Sequence, residues 1–250
     1  MRRQLLKADT EGLIHSDFQK AIPALRETEL YKYFYRMPKG RLFHAHIEAT
    51  YDIAYAVELA MESDDAYVYL WDTTSSYVYG QMAYRQWFEN GEIPCGWKPI
   101  KEAAAERPNF KEELVSLCTT DMSKVGPEIW PHFENIFDRT KALVCYRPQF
   151  VKILEKAMLD MAAEGLSGVD FRFIGQLIFD DNGHRYSLDE NIALYHQIYE
   201  KVLEKYPDFS MRMIYAGYKG TDQEVVAASV EKAVEMDRQY PGFVIGFDLV

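Results

Sequence analysis

His44 and His46, with Glu48 next in the same row, are the side chains in this sequence whose types and spacing could do chemistry together. Pro38 and Gly40 end whatever precedes them, and residues 41–47 then read as a short strand in which alternate side chains share a face. The two imidazoles therefore point the same way. Two imidazoles followed by a carboxylate form half of a divalent-metal site. A bare His-x-His has a second explanation, because strand histidines also hydrogen-bond carbonyls or face water as ordinary partly buried residues. Spacing alone leaves both open.

The 250 residues are enough for one α/β barrel or two modest domains. With 48% hydrophobic and 27% charged residues the composition is that of a soluble globular protein. Lys and Arg number 28 against 39 Asp and Glu, a formal net charge of -11 that repels phosphate backbones and anionic membranes. Neither nucleic acid nor membrane is thus expected as a partner. Cys95, Cys118 and Cys145 are far apart and form no Cys-x-x-Cys, so neither a disulfide framework nor a thiolate zinc site is indicated. The N-terminus is basic but reaches only Leu5 and Leu6 before charge returns, which is no secretory core, and no apolar run would span a bilayer. The cytoplasm is the expected location.

Elements that must position the histidines follow from periodicity and caps. Residues 16–36 predict a helical extension, with Ser16 or Asp17 as cap, an apolar side including Phe18, Leu25, Leu30 and Phe34, and a break at Pro23. This extension covers a barrel end or contacts a second subunit, giving a homodimer through the N-terminal helices. After a short helix over residues 51–61, residues 67–71 and 77–79 look like two aromatic strands joined by residues 72–76 as a hairpin. Residues 89–108 read as irregular loop, followed by a helical piece near residues 111–118. Ile129, Trp130, Phe133, Ile136 and Phe137 fall at helical spacing, a stripe best explained by core packing.

From Pro148 the pattern becomes regular. Pro148 opens a helix that Gly165 closes, residues 168–174 form a strand, and Ser187-Leu-Asp-Glu190 is a capping box for the next helix. Residues 210–215 are a strand, Thr221-Asp-Gln-Glu224 a second capping box, and residues 243–250 a last strand. Alternating strands and helices predict βαβ units and a parallel sheet. Each strand has one apolar face and one bearing a charge, as at Asp170, Arg172, Arg212 and Asp248. A barrel lined with polar groups fits better than an open sheet covered on both sides. The later strands start about 42 and about 33 residues apart, one βα unit each, so a closed eight-stranded barrel would need roughly 150 more residues.

Three motifs, in order from residue 37 to residue 250, resemble the adenosine deaminase family of the amidohydrolase superfamily, most closely its adenosine deaminase-related growth factor branch. They are Met37-Pro-Lys-Gly40 with Phe43-His-Ala-His46, then Trp130-Pro-His-Phe-Glu-Asn-Ile-Phe137 continuing to Tyr146-Arg-Pro148, and Gly246-Phe-Asp-Leu-Val250. The resemblance implies a (β/α)8 barrel of the amidohydrolase type. About its first half would occupy residues 37–250, with an insertion at about 62–125 and residues 1–36 as the helical extension. It also implies one Zn2+ held by His44, His46, a later His and a later Asp, and zinc-dependent deamination of adenosine or a related purine nucleoside. Glu48 stands where the family often has an Asp near substrate, and Trp130 matches a substrate-pocket Trp. Tyr218 falls where close relatives can carry a Ser-Asp-His turn, so it is the third expected substrate-binding position. The family's catalytic groups, including the Glu of a His-Ala-Gly-Glu motif, are expected C-terminal to Val250, which would leave these 250 residues inactive alone.

Other classes compete. One is a non-catalytic protein that binds a nucleoside or a partner; another is an amidohydrolase acting on a different purine. A cytidine-deaminase-type zinc site would use His46-Ile-Glu48 and Pro94-Cys95, but it needs a second Cys at the position of Lys98.

Overall fold

The computed structural model describes residues 18–71, 77–120, 126–175 and 177–250. The expected cap at Ser16 or Asp17, and the expected turn at residues 72–76, lie outside the described residues. Helices α1 (Phe18–Arg26) and α2 (Glu29–Arg36) come first. The break between them is not at Pro23, which sits inside α1, but at Thr28. The Tyr31 amide donates to the Thr28 hydroxyl at 3.1 Å, satisfying one of the amides that a new helix leaves unpaired. No residue of α2 is buried.

Strand β1 (Arg41–His46) follows and leads through a single 3-10 turn, Ile47–Ala49, to α3 (Ile53–Met61). Next comes a small antiparallel sheet of β2 (Ala66–Tyr69), β3 (Met82–Tyr84) and β4 (Trp97–Pro99), ordered β3-β2-β4. The hairpin partner of β2 is therefore β3 and not residues 77–79. Those residues turn instead: Gln81 donates its amide to the Val78 carbonyl at 2.8 Å, and Gly80, with φ of +80°, donates to the Tyr69 carbonyl at 2.8 Å. A Cβ at Gly80 would also come within 2.6 Å of Leu117 Cδ1. The stretch 89–108, expected as loop, holds β4 and α4 (Ile100–Glu106). Three residues starting after Gly96 and ending in Pro99 carry no periodic signal, and pairing with β2 makes them a strand.

Helices α5 (Phe110–Leu117), α6 (Ile129–Val144) and α7 (Arg147–Ala163) lead to β5 (Gly168–Phe173). Then come α8 (Leu188–Lys205), β6 (Ser210–Gly217), α9 (Gln223–Gln239) and β7 (Val244–Leu249). The strands β1, β5, β6 and β7 lie side by side in that order, all parallel. Val169, Phe171, Phe173, Met211, Met213 and Val244 are buried on one face. They share one core with Ile153, Leu154 and Met158 of α7 and with Ile192, Ile198 and Val202 of α8. The other face is charged. Asp170 accepts hydrogen bonds from Arg41 at 2.7 Å and from Arg212 at 2.9 Å, and this bonding raises the Arg212 pKa. The architecture is thus an α/β partial barrel of four parallel strands, and the barrel is not closed. Among the described residues no helix is long and apolar enough to cross a membrane.

Of the two expected capping boxes, only the first forms. At the start of α8 the Glu190 amide donates to the Ser187 hydroxyl and the Ser187 amide donates to the Glu190 carboxylate at 2.7 Å. α9 instead starts at Gln223, capped by Asp222 without a side-chain bond, because the Thr221 hydroxyl is used in donating to the Tyr218 carbonyl at 2.8 Å.

Two predictions follow from these contacts. Asp170→Ala leaves two guanidiniums without their carboxylate, and urea unfolding should show a loss of about 3 kcal/mol, the cost of breaking a buried pair from one side. Glu190 is held down to about 2 by Ser187 and then His184. Its folded pKa lies below its unfolded one, so its stabilisation is present above the ordinary carboxylate range and is lost as pH falls through about 2. Between about pH 5 and pH 2 the Glu190→Gln chain should therefore lose less stability than the parent; parallel unfolding curves for the two would contradict this.

Candidate active site

The histidines of β1 meet because the strand is irregular. Leu42 pairs with Val169 and Ala45 with Phe171, so one extra residue is accommodated on β1 between them. Such a bulge re-aims the side chains that follow it. His44 and His46 then lie with their Nε2 atoms 3.2 Å apart. Two nitrogens bound to one tetrahedral zinc, each at about 2.0–2.1 Å, are separated by about 3.3 Å. The pair thus fits a shared ion as it stands. Among the described residues no group of three or more His, Cys, Asp or Glu side chains is arranged to hold a metal, so these two are half a site.

Beside them lies a cleft of about 610 Å³. His46, Glu48 and Tyr218 line it together, as does Val250 at the end of the last strand. His44 touches the cleft only through His46. Trp130 does not line it; the indole is 63% exposed and packs edge-on against Phe133, with ring centroids 6.1 Å apart. The wall opposite β1 is α6, which contributes Phe133, Glu134, Phe137, Asp138 and Lys141. Of the expected core stripe, Ile129, Trp130, Phe133, Ile136 and Phe137, the structure packs Ile136 against the core and turns Phe133 and Phe137 to the cleft. Phe133 is 37% exposed, and the buried residues of α6 are Arg139, Thr140, Ala142, Leu143 and Val144. The signal was present in the sequence, since 130, 133, 134, 137, 138 and 141 form one helical face, but periodicity does not say what a face packs against.

Charge and burial shape the cleft further. Glu48, Glu134 and Asp138 outnumber Lys141, so the walls favour an uncharged or cationic ligand over an anion. Burial, with the Glu48 carboxylate adding to it, pushes the Cys145 thiol up to about 12. Below the histidines, Arg172 of β5 donates to Asp248 of β7 at 3.1 Å and also to the Phe43 carbonyl of β1. Arg172, and more weakly the Leu249 amide and His44, hold the Asp248 carboxyl below the usual range against the opposing effect of burial.

No family model matches the chain. It is 24% identical over 259 residues to adenosine deaminase of Phlebotomus duboscqi, which covers 98% of this chain and 48% of that protein. It is 24% identical over 238 residues to adenosine deaminase 2 of Dictyostelium discoideum, covering 90% and 42% respectively. An amidohydrolase from Burkhoderia ambifaria, crystallised with bound Zn, superposes with a TM-score of 0.50 at 13% identity over 89% of this chain and 47% of that one. The fold is therefore that of part of an amidohydrolase barrel, and the resemblance to adenosine deaminases extends over most of the chain. The chain spans about half the length of the curated relatives it matches.

The thiols give a direct check on this geometry. Cys95 is exposed, Cys118 is buried with its pKa raised to about 11, and Cys145 is buried on the cleft wall. A thiol reagent near pH 8 should modify one cysteine quickly and two slowly, because the thiolate is the reactive form. Fast reaction at Cys145 would mean that the cleft floor is open.

Proposed function

We propose that this chain supplies the metal-ligating strand and one cleft wall of a zinc-dependent hydrolase that deaminates adenosine or a related purine nucleoside, releasing ammonia. The observation that carries this reading is the His44–His46 pair, 3.2 Å apart and opening on a cleft walled by aromatic rings. Zinc, when bound, lowers the pKa of a coordinated water to about 7 and so provides hydroxide at neutral pH. His44 and His46 hold the ion through their Nε2 atoms. Phe133, Phe137 and Tyr218 offer flat apolar surface to a purine, and Glu48 presents a carboxylate that accepts hydrogen bonds from substrate hydroxyl or amino groups. Trp130 lies outside the cleft lining and bears on it through its edge-on contact with Phe133. The acidic lining supports a nucleoside over its phosphate esters, and the net charge of -11 supports the exclusion of nucleic acid and anionic membranes. Similarity to proteins named adenosine deaminase supports the substrate class.

A zinc site needs at least three protein ligands, so the reading requires donors besides these two. That same count favours the second reading, a protein that binds a nucleoside without transforming it. Zinc measured by elemental analysis and ammonia released from adenosine separate the two. Under the proposal His44→Ala and His46→Ala each weaken zinc binding by more than the roughly 10–100-fold that loss of a supporting residue costs. Trp130→Ala should leave zinc content unchanged and weaken nucleoside binding by up to about 1.5 kcal/mol, the worth of an aromatic contact. Nucleoside binding that is unaffected by removing zinc, with no ammonia formed, would establish the second reading instead.

A further inference from the structure

Strand alternation alone does not bring His46 to the cleft. Arg41 points to the charged face of the sheet, where it donates to Asp170, and His46 lines the cleft on that side, away from the helix-covered core. Residues five apart on a regular strand face opposite ways, because side chains alternate with a period of two. The extra residue on β1 corrects the parity. Leu42 pairs with Val169 and Ala45 with Phe171, so Phe43 and His44 together stand opposite Asp170. Ala45 is accordingly buried in the core, and the place facing the cleft falls to His46. Without the bulge those two residues would exchange faces.

A bulge disrupts the ladder around its extra residue, so other contacts must hold it. Arg172 supplies one from the neighbouring strand. Its Nη1 donates to the Phe43 carbonyl inside the bulge, and its Nε donates to Asp248 of β7 at 3.1 Å. The Arg172 side chain is only 12% exposed, so water is poorly placed to replace either bond. A guanidinium carries its donors in one rigid plane, and two acceptors therefore fix its orientation. We propose that Arg172 is a positioning residue for the histidine pair: anchored by Asp248, its guanidinium holds the β1 bulge and so sets the 3.2 Å spacing of the His44 and His46 Nε2 atoms. The value of that spacing to a metal rests on the zinc reading given above; the clamp itself does not. Two nitrogens held at ion-sharing distance beforehand need little reorganisation on binding, which is how such preorganisation raises affinity.

Three variants of the purified chain test this. Zinc affinity is measured by competition with a chromogenic chelator, and the ring proton–nitrogen signals of His44 and His46 are recorded by NMR in the zinc-free chain. Arg172→Met should weaken zinc binding by about 10–100-fold, the usual cost of losing a group that orients a ligand, and should move both ring signals. Arg172→Lys keeps the charge but lacks the fork, so the same changes should appear to a smaller degree and report geometry, not charge; this variant decides the matter if Arg172→Met does not fold. Arg212→Met removes another arginine of the same face, one bonded to Asp170, and should lower the unfolding midpoint while leaving zinc affinity and both ring signals as in the parent. Ring signals unmoved in the folded Arg172 variants overturn the proposal whatever the zinc affinity. Equal changes in Arg212→Met also overturn it, since Arg172 would then be one structural contact among several. A parent chain that binds no zinc removes the zinc reading alone, and ring signals moved by the Arg172 variants but not by Arg212→Met then uphold the clamp.

Discussion

A carboxylate held between two guanidiniums fixes the register on which the site depends. Asp170 is nearly dry, and desolvating an ion costs several kcal/mol unless partners replace the lost water. Arg41 on one side and Arg212 on the other replace it, at 2.7 and 2.9 Å. Arg41 is the first residue of β1, so this contact ties that strand to β5 at one defined position. The bulge beyond it then has a fixed starting point, and His44 and His46 emerge on the face that carries the cleft. A slip of one residue would send both imidazoles into the helix-covered core.

Polar groups change character along that face. At the starts of the strands Arg41, Asp170 and Arg212 neutralise one another; farther on, Arg172 binds Asp248 and the Phe43 carbonyl, joining β1, β5 and β7. At the carboxyl end of β1 the imidazoles are exposed or half-buried and have mainly each other. Paired charges hold the barrel fragment together at one end, and free donor capacity is left at the other. This is the end at which parallel barrels place their sites.

The cleft wall is secured from outside the barrel. Arg139 of α6 is buried, and its guanidinium donates to the Tyr79 carbonyl at 2.9 Å and the Leu117 carbonyl at 3.1 Å. Leu117 is the last residue of α5, where a cation meets the negative end of the helix dipole. The small antiparallel sheet and α5 therefore hold α6 through Arg139, while the face of α6 that carries Phe133, Phe137 and Lys141 stands over the cleft.

Sequence alone determined what is local. The shared face of His44 and His46 follows from strand alternation, the start of α8 from the Ser187–Glu190 box, and the parallel sheet from capped helices between strands with one apolar face. These signals lie within a few residues of what they specify. Tertiary structure decided the rest. Residues 82–84 and 97–99 become strands only because β2 lies between them, and Thr221 fails to cap because the Tyr218 carbonyl takes its hydroxyl. The aromatic face of α6 becomes a wall and not core because Arg139 anchors the helix through the Tyr79 and Leu117 carbonyls. Helical period shows that Phe133 and Phe137 share a side with Trp130; which partner that side meets is set by contacts between residues far apart in the chain, and no local pattern encodes them.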